Sequence, residues 1–495
     1  MEALIFPREA VTQFSISPGS WVTVKQGSTM MIGSDFHIKS IAGSSGYFVD
    51  QTVNGDVTIT GNITVDRYMT PDVWHNIASP VSNENTTAFP NTDLIFWYNE
   101  SLILNDWNFG WVWYYGATGG PMVVFRGYDI FFFTNPETIN YHGTANQLNT
   151  GAYSITVINT SSSPSEIPSH KGWNLVGNPY PSPADWLASG WYKSSINDAK
   201  YIWDGANDIY TIFVGGGSPI GINGGTRYIP SNQGFWVQSV VASGTFGIAN
   251  SVRVGVITGT PDFYKHTAVG YPLVSLLAEG YGHSDEAVVR FLEGTTDGFD
   301  LNYDATKLYS LNPEIPQLTI HSGKQYFALN SLPEITQNLS VEMYFRCSKE
   351  GLYDIRLTPR TNLDPSTQVY LKDQLLGKMI DLKTDSSYSF FHEPANPEKR
   401  FTLYFNPDDD IIRNITPDSW FSVYSAGNTI HIIKNTTRDI TADVTIYNIL
   451  GQPVYNRRLD FSSESVIGMN GSPGYYIVSI VTADHVFNAK VLVSH

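Results

Sequence analysis

PGYYIVSIV (473–481) and VFNAKVLV (486–493) are the two runs from which the fold of this chain is read. In the second, Phe487, Ala489, Val491 and Val493 fall on one face and Asn488 and Lys490 on the other. That period of two is what a half-buried strand imposes. A turn at Asp484-His485 separates the two runs. Upstream, VTIYNILGQPVYNRRL (444–459) reads as two further strands broken at Gly451-Gln452-Pro453. Residues 421–495 therefore predict one small all-β domain.

Working outward, the composition carries the same message through the whole chain. At 495 residues it exceeds the roughly 150 residues typical of one domain, so several are expected. Only 15% of residues are charged, while 42 Gly, 27 Pro and 29 Tyr describe turn-rich β modules rather than helices. A net charge of −17 repels phosphate backbones and argues against nucleic-acid partners. No apolar run approaches the roughly 20 residues of a membrane span; FFF (131–133) and MVVF (122–125) read as strand cores. The single cysteine, Cys347, has no partner for an internal disulfide and reads as a buried strand position.

The chain divides into five segments. Residues 1–66 hold short strands and close turns, WVTVKQG (21–27) to VTITGNITV (57–65), which suit a β-solenoid or the entry strands of a sandwich. Residues 67–250 hold ten of the twelve tryptophans and an internal echo, DVWHNIASPVS (72–82) and KGWNLVGNPYPSPADW (171–186). A weaker third echo is HTAVGYPLVSL (266–276). Residues 251–408 carry eight strand-like runs at even spacing and predict a jelly-roll-like β-sandwich. NPDDDIIRNITPDS (406–419) reads as a linker, assigned to 409–420, ahead of the terminal domain. The fold class is all-β, tandem β-sandwich modules with a short solenoid-like segment in front.

The terminal layout resembles the type A C-terminal sorting domain of Bacteroidetes type IX secretion cargo. That family has a strand, a G-x-x-V turn, a GxYxV strand and a last strand with a basic residue, in this order. Here the pattern falls on Gly451, on Gly474, Tyr476 and Val478, and on Lys490, Val491 and Val493. SVYSAGNTIHI (422–432) stands where the family has an NP signature. The resemblance implies a small Ig-like sandwich that engages the type IX secretion machinery through residues 421–495. It also implies a secreted or outer-membrane surface location. MEALIFPREA (1–10) lacks the basic start and apolar core of a secretory signal, so this reading expects a trimmed chain. Residues 67–250 resemble a module of Bacteroidetes surface proteins in which the two echoed motifs occur as a pair. GFDLNYDATKL (298–308), EGLYDIRL (350–357) and RFTLYF (400–405) resemble a module that often precedes the sorting domain.

Candidate sites are few. GYGHSDE (280–286) imitates a hydrolase nucleophile elbow, but Glu286 stands where that turn needs Gly, and the setting is not α/β. Asp297, Asp300, Asn302 and Asp304 offer alternating oxygens for a calcium ion, or an Asx-turn network that needs no metal. Asp204, Asn207 and Asp208 repeat that pattern. Trp97, Trp107, Trp111 and Trp113 could stack on sugar rings or fill a core, with Trp111 and Trp113 on one strand face. His392-Glu393 is followed by Pro394, which excludes a zincin helix, and GGGSPIGINGG (215–225) reads as a loop without the Lys-Ser/Thr of a phosphate site. No catalytic residue, metal site or cofactor is assigned. The expectation is an exported, adhesin-like structural protein with a glycan or protein ligand. The alternatives are the accessory part of a secreted glycoside hydrolase or peptidase, or a carbohydrate-binding module.

Overall fold

The computed structural model describes residues 13–494 except 53–55, 87–88, 90–93, 103–109, 115–118, 133–136, 161–169, 256–269, 409–410, 413–419, 436–439 and 483–485. It is all-β, with its strands distributed over many sheets.

The short N-terminal strands wind into a parallel coil. Gln13–Ile16, Asp35–Ile38 and Ile63–Met69 stack in parallel, Phe14 beside Phe36 and Phe36 beside Ile63. Trp21–Val24 pairs in parallel with Tyr47–Asp50, and Met30–Ile32 with Val57–Ile59. Three parallel ladders on successive sides make a short β-solenoid, with Ile16, Val24, Ile32, Phe36 and Ile38 turned inward. The expected boundary at 66/67 does not hold, because it cuts Ile63–Met69. The free edge of that strand is taken antiparallel by Glu137–Gly143, Val65 opposite Tyr141, and one core runs through both. An exposed strand edge demands a partner, and here the partner lies in the next segment.

The internal echo is real. Trp74–Ile77 begins a sheet that continues through Tyr128–Phe131, Leu94–Tyr98 and Trp111–Trp113. Trp173–Gly177 begins another, continuing through Gly234–Gln238, Ala199–Asp204, Ile209–Val214 and Ile220–Ile222. Taken in chain order, both run first, last, second, third, and the later sheet adds one edge strand. The third echo does not extend the series: Leu273–Gly280 belongs to the next sheet, and residues 266–269 lie outside the described ones. MVVF (122–125) is a turn rather than a strand, with Phe125 at φ 68° and the Val123 N–H donating to Tyr128 Oη at 2.8 Å.

Residues 273–405 form one eleven-stranded sheet instead of two separate ones. It runs from Lys378–Asp381 and Val369–Asp373 at one edge to Gly351–Leu357 and Ser387–His392 at the other. The sheet rolls until its ends face each other across one core. Phe390 near one edge meets Phe401 near the other at 5.0 Å, and the Tyr388 hydroxyl donates to Asp373 at 3.0 Å. Arg400 joins the two ends from its buried position, ion-paired with Asp373 at 2.8 Å and donating to Phe391 O at 2.8 Å. The sandwich expected from strand spacing is thus closed by side chains across a single rolled sheet.

The division expected at 250/251 separates parts that share a core. Trp173, Tyr201, Ile212 and Trp236 pack with Leu273, Val288, Ala305 and Leu329. Tyr201 Oη donates to Thr306 O at 2.8 Å and Asn197 Nδ2 to Leu301 O at 2.9 Å. Asn223, within the run read as a loop, donates to Asp285 at 3.0 Å, and its side-chain oxygen accepts the Glu286 N–H at 2.7 Å. Arg360 closes the junction on Glu286 at 3.0 Å and on Gly221 O at 2.7 Å.

The terminal domain follows the sequence reading closely. Phe421–Ala426, Thr429–Lys434 and Glu464–Gly468 form one sheet; Pro453–Phe461, Ile440–Asn448, Gly474–Val481 and Val486–Val493 form the other. Its core of Ile430, Ile432, Val444, Ile446, Val478 and Ile480 is its own.

Candidate functional site

The first echoed sheet has two unlike faces. Ile77, Ile95, Tyr128 and Ile130 point into the core shared with the solenoid. The alternate residues Trp74, Asn76, Phe96, Asp129 and Phe131 occupy the other face, as strand alternation requires. There Trp74 packs on Phe131 at 5.2 Å and on Phe96 at 6.0 Å.

Across from this face stands the hairpin Ala199–Asp204/Ile209–Val214, whose register puts Trp203 opposite Tyr210, rings 5.0 Å apart. Gly205 lets its turn come close: a Cβ there would lie 2.6 Å from Trp74 O. Leu311 and Asn312 of the rolled-sheet module complete the rim. The result is a cleft of about 230 Å³ with Trp74, Trp111, Trp203 and Tyr210 as walls.

Its polar groups come in two amide–carboxyl pairs. Asn76 Nδ2 donates to Asp129 Oδ1 at 2.8 Å, while Asn76 Oδ1 accepts Trp236 Nε1 at 3.2 Å. On the opposite rim Asn312 Nδ2 donates to Asp208 Oδ2 at 2.9 Å. Burial pushes the Asp129 carboxyl well above the ordinary range, although the Asn76 amide and the Ile130 N–H pull the other way. Burial therefore shifts this group toward its protonated form relative to an exposed carboxyl. Among the described residues no Lys, Arg or His lines the cleft. A second hollow of about 290 Å³, lined by His142, Thr144 and Gln147 among others, has no Trp or Tyr wall.

Of the four tryptophans singled out by sequence, Trp111 is a wall of the cleft and Trp113 follows on the same face, 48% exposed. Trp97 lies on the opposite face, against the solenoid core and under the Arg126 guanidinium at 4.5 Å. Trp107 lies outside the described residues. Sequence alone does not single out Trp74, Trp203, Asn76 or Asp129 as site residues. The alternating polar positions inside WHNI (74–77) and YDIF (128–131) were the available signal.

The other candidates resolve into local structure. Asp304 turns inward, accepting the N–H groups of Ser331 and Asp300, each at 2.7 Å. Asp300 accepts the Thr296 N–H at 2.7 Å. Burial raises Asp304 to about 7. Among the described residues no three His, Cys, Asp or Glu side chains are grouped to hold a metal ion. Asp204 caps its own turn through Ala206 N and Asn207 Nδ2, whereas Asp208 goes to the cleft. Tyr281-Gly282 is a two-residue hairpin turn with both φ positive, which accounts for GYGHSDE; Glu286 is buried at the module junction. Cys347 is buried against the Tyr353 hydroxyl at 3.1 Å.

The terminal motif divides by role. Tyr476, Val478, Val491 and Val493 are core. Gly451 sits at φ 74° in the turn that Asn448 Oδ1 caps by accepting the N–H groups of Leu450 and Gln452 at 3.0 Å. Gly474 opens the strand, and Lys490 lies on the surface with Nζ 4.0 Å from the Tyr475 ring. The turn at Asp484-His485 and most of the 409–420 linker lie outside the described residues. Among the described residues no helix is long and apolar enough to cross a membrane.

No curated protein matches this chain. A family described as a domain of unknown function (DUF8693) matches residues 8–405, a stretch that takes in the solenoid, both echoed sheets and the rolled sheet and stops short of the terminal sandwich. Most of the chain lies within that match, and the chain belongs to the DUF8693 family.

Proposed function

We propose that this chain is a secreted or outer-membrane surface protein of adhesin type, exported by a type IX secretion machinery that engages residues 421–495. The observation that supports this best is the separateness of the terminal sandwich. It has its own closed core, and it begins after the family region has ended at residue 405. A module that follows the family region, carrying the pattern Gly451, Gly474–Val478 and Lys490–Val493, suits a delivery signal better than a part of the working surface. The body itself, a fused solenoid, pair of echoed sheets and rolled sheet, presents loops and clefts on a rigid scaffold.

Deletion of 421–495 in the producing bacterium is the test. Cell fractionation and protease accessibility should find the truncated chain in the periplasm and the full chain at the surface. Undiminished surface display of the truncated chain overturns the proposal.

A further inference from the structure

We propose that the cleft between the first echoed sheet, the Trp203–Tyr210 hairpin and the Leu311-Asn312 rim binds one neutral sugar ring. This is independent of how the chain is exported, since every lining residue lies within the 8–405 family region.

Size sets the first limit. About 230 Å³ is below the roughly 300–1,000 Å³ of pockets for drug-sized ligands, so the cleft admits a single ring and not an extended chain. The walls set the second. Trp74, Trp111, Trp203 and Tyr210 offer flat apolar surfaces, which suit the C–H faces of a pyranose. The polar groups set the third. Asn76–Asp129 on one side and Asn312–Asp208 on the other are short, fixed by their mutual bonds, and able both to donate and to accept. Hydroxyls around a sugar ring need that mixture.

Charge removes the competitors. Among the described lining residues an anionic ligand would find no basic side chain and two carboxyls in its place. A quaternary ammonium would suit an aromatic cage, but it makes no use of the amide donors of Asn76 and Asn312.

The full chain is titrated at pH 7 with methyl glycosides of neutral hexoses, deoxyhexoses and N-acetylhexosamines, read by tryptophan fluorescence and calorimetry, with choline as the cationic probe. At least one glycoside should saturate a single site. Trp203→Ala should weaken that binding about tenfold or more, consistent with the loss of one ring contact. Asp208→Ala at the rim, where folding is least at risk, should also weaken it. Asp129→Asn, which keeps the side chain's size and an oxygen to accept the Asn76 bond, should stay within about threefold of the parent, as less than 1 kcal/mol is at stake. Choline should neither bind nor compete. Saturation by no glycoside, competition by choline, or unaltered affinity in both Trp203→Ala and Asp208→Ala would each overturn the proposal.

Discussion

The two echoed sheets share a strand order but differ in what they place at one register position. In the first, Asn76 pairs with Asp129, which pairs on its other side with Phe96. In the second, the corresponding residues are Leu175, Trp236 and Tyr201. The preceding tryptophans also correspond: Trp74 packs on Phe96 at 6.0 Å, and Trp173 on Tyr201 at 4.9 Å. The second sheet fills this position with rings and buries it completely, making the core shared with the rolled sheet. The first leaves its rings half-buried and puts a carboxylic acid and an amide among them. One copy of the pattern has become packing, and the other has become a cleft.

Exchanging or deleting residues at the matched positions should break this comparison or sharpen it. The largest effect belongs to the second sheet. Trp236→Ala removes a fully buried ring and should cost about 3–5 kcal/mol in urea denaturation. Trp74→Ala on the half-buried face of the first should cost about 1–2 kcal/mol. Equal costs would deny that the two faces do different work. Next comes Asn76→Leu, which copies Leu175 and leaves Asp129 and the Trp236 indole N–H without that partner. It should cost about 1–3 kcal/mol, and adding Asp129→Leu should recover most of the loss. A double variant as unstable as the single one would show that the pair is not a self-contained unit.

The smallest effect concerns pH. Burial raises the Asp129 carboxyl in the folded chain, so above the unfolded value near 3.9 the native state holds the proton that the unfolded chain has released. Its contribution is fully present below that value and is lost as pH rises through the folded one. Asp129→Asn should therefore gain stability relative to the parent as pH climbs from about 4, seen as a narrowing or reversed Tm difference. The same pH series on Leu175→Ala should show no such drift, since that site holds no carboxyl.

Local pattern carried the fold class and the terminal sandwich. The final strand alternates as VFNAKVLV predicts, with Val491 and Val493 buried and Lys490 exposed, because a strand's period depends only on its own residues. The echo around Trp74 and Trp173 was legible for the same reason. What local pattern could not carry was pairing between distant residues. Nothing near Ile63–Met69 announces Glu137–Gly143, and nothing in the strand spacing of 273–405 says whether the sheet splits or rolls. The cleft was half legible. Aromatic density pointed to Trp111 and Trp113, but the cleft exists only where Trp203, Asp208 and Asn312 arrive from segments remote in sequence.

The parallel coil at the N-terminal end is also a growing template, since each rung offers the next one its unpaired edge. Here the lower rung is sealed on all three sides. Glu137–Gly143 takes Ile63–Met69 in the antiparallel sense, Asn146 exchanges bonds with Ile59, and Pro181 O accepts the Phe48 N–H at 2.9 Å. A reversed strand and two irregular loops cannot pass the parallel register on. The sheet stack is thereby stopped from polymerising in that direction, a safeguard against fibre growth.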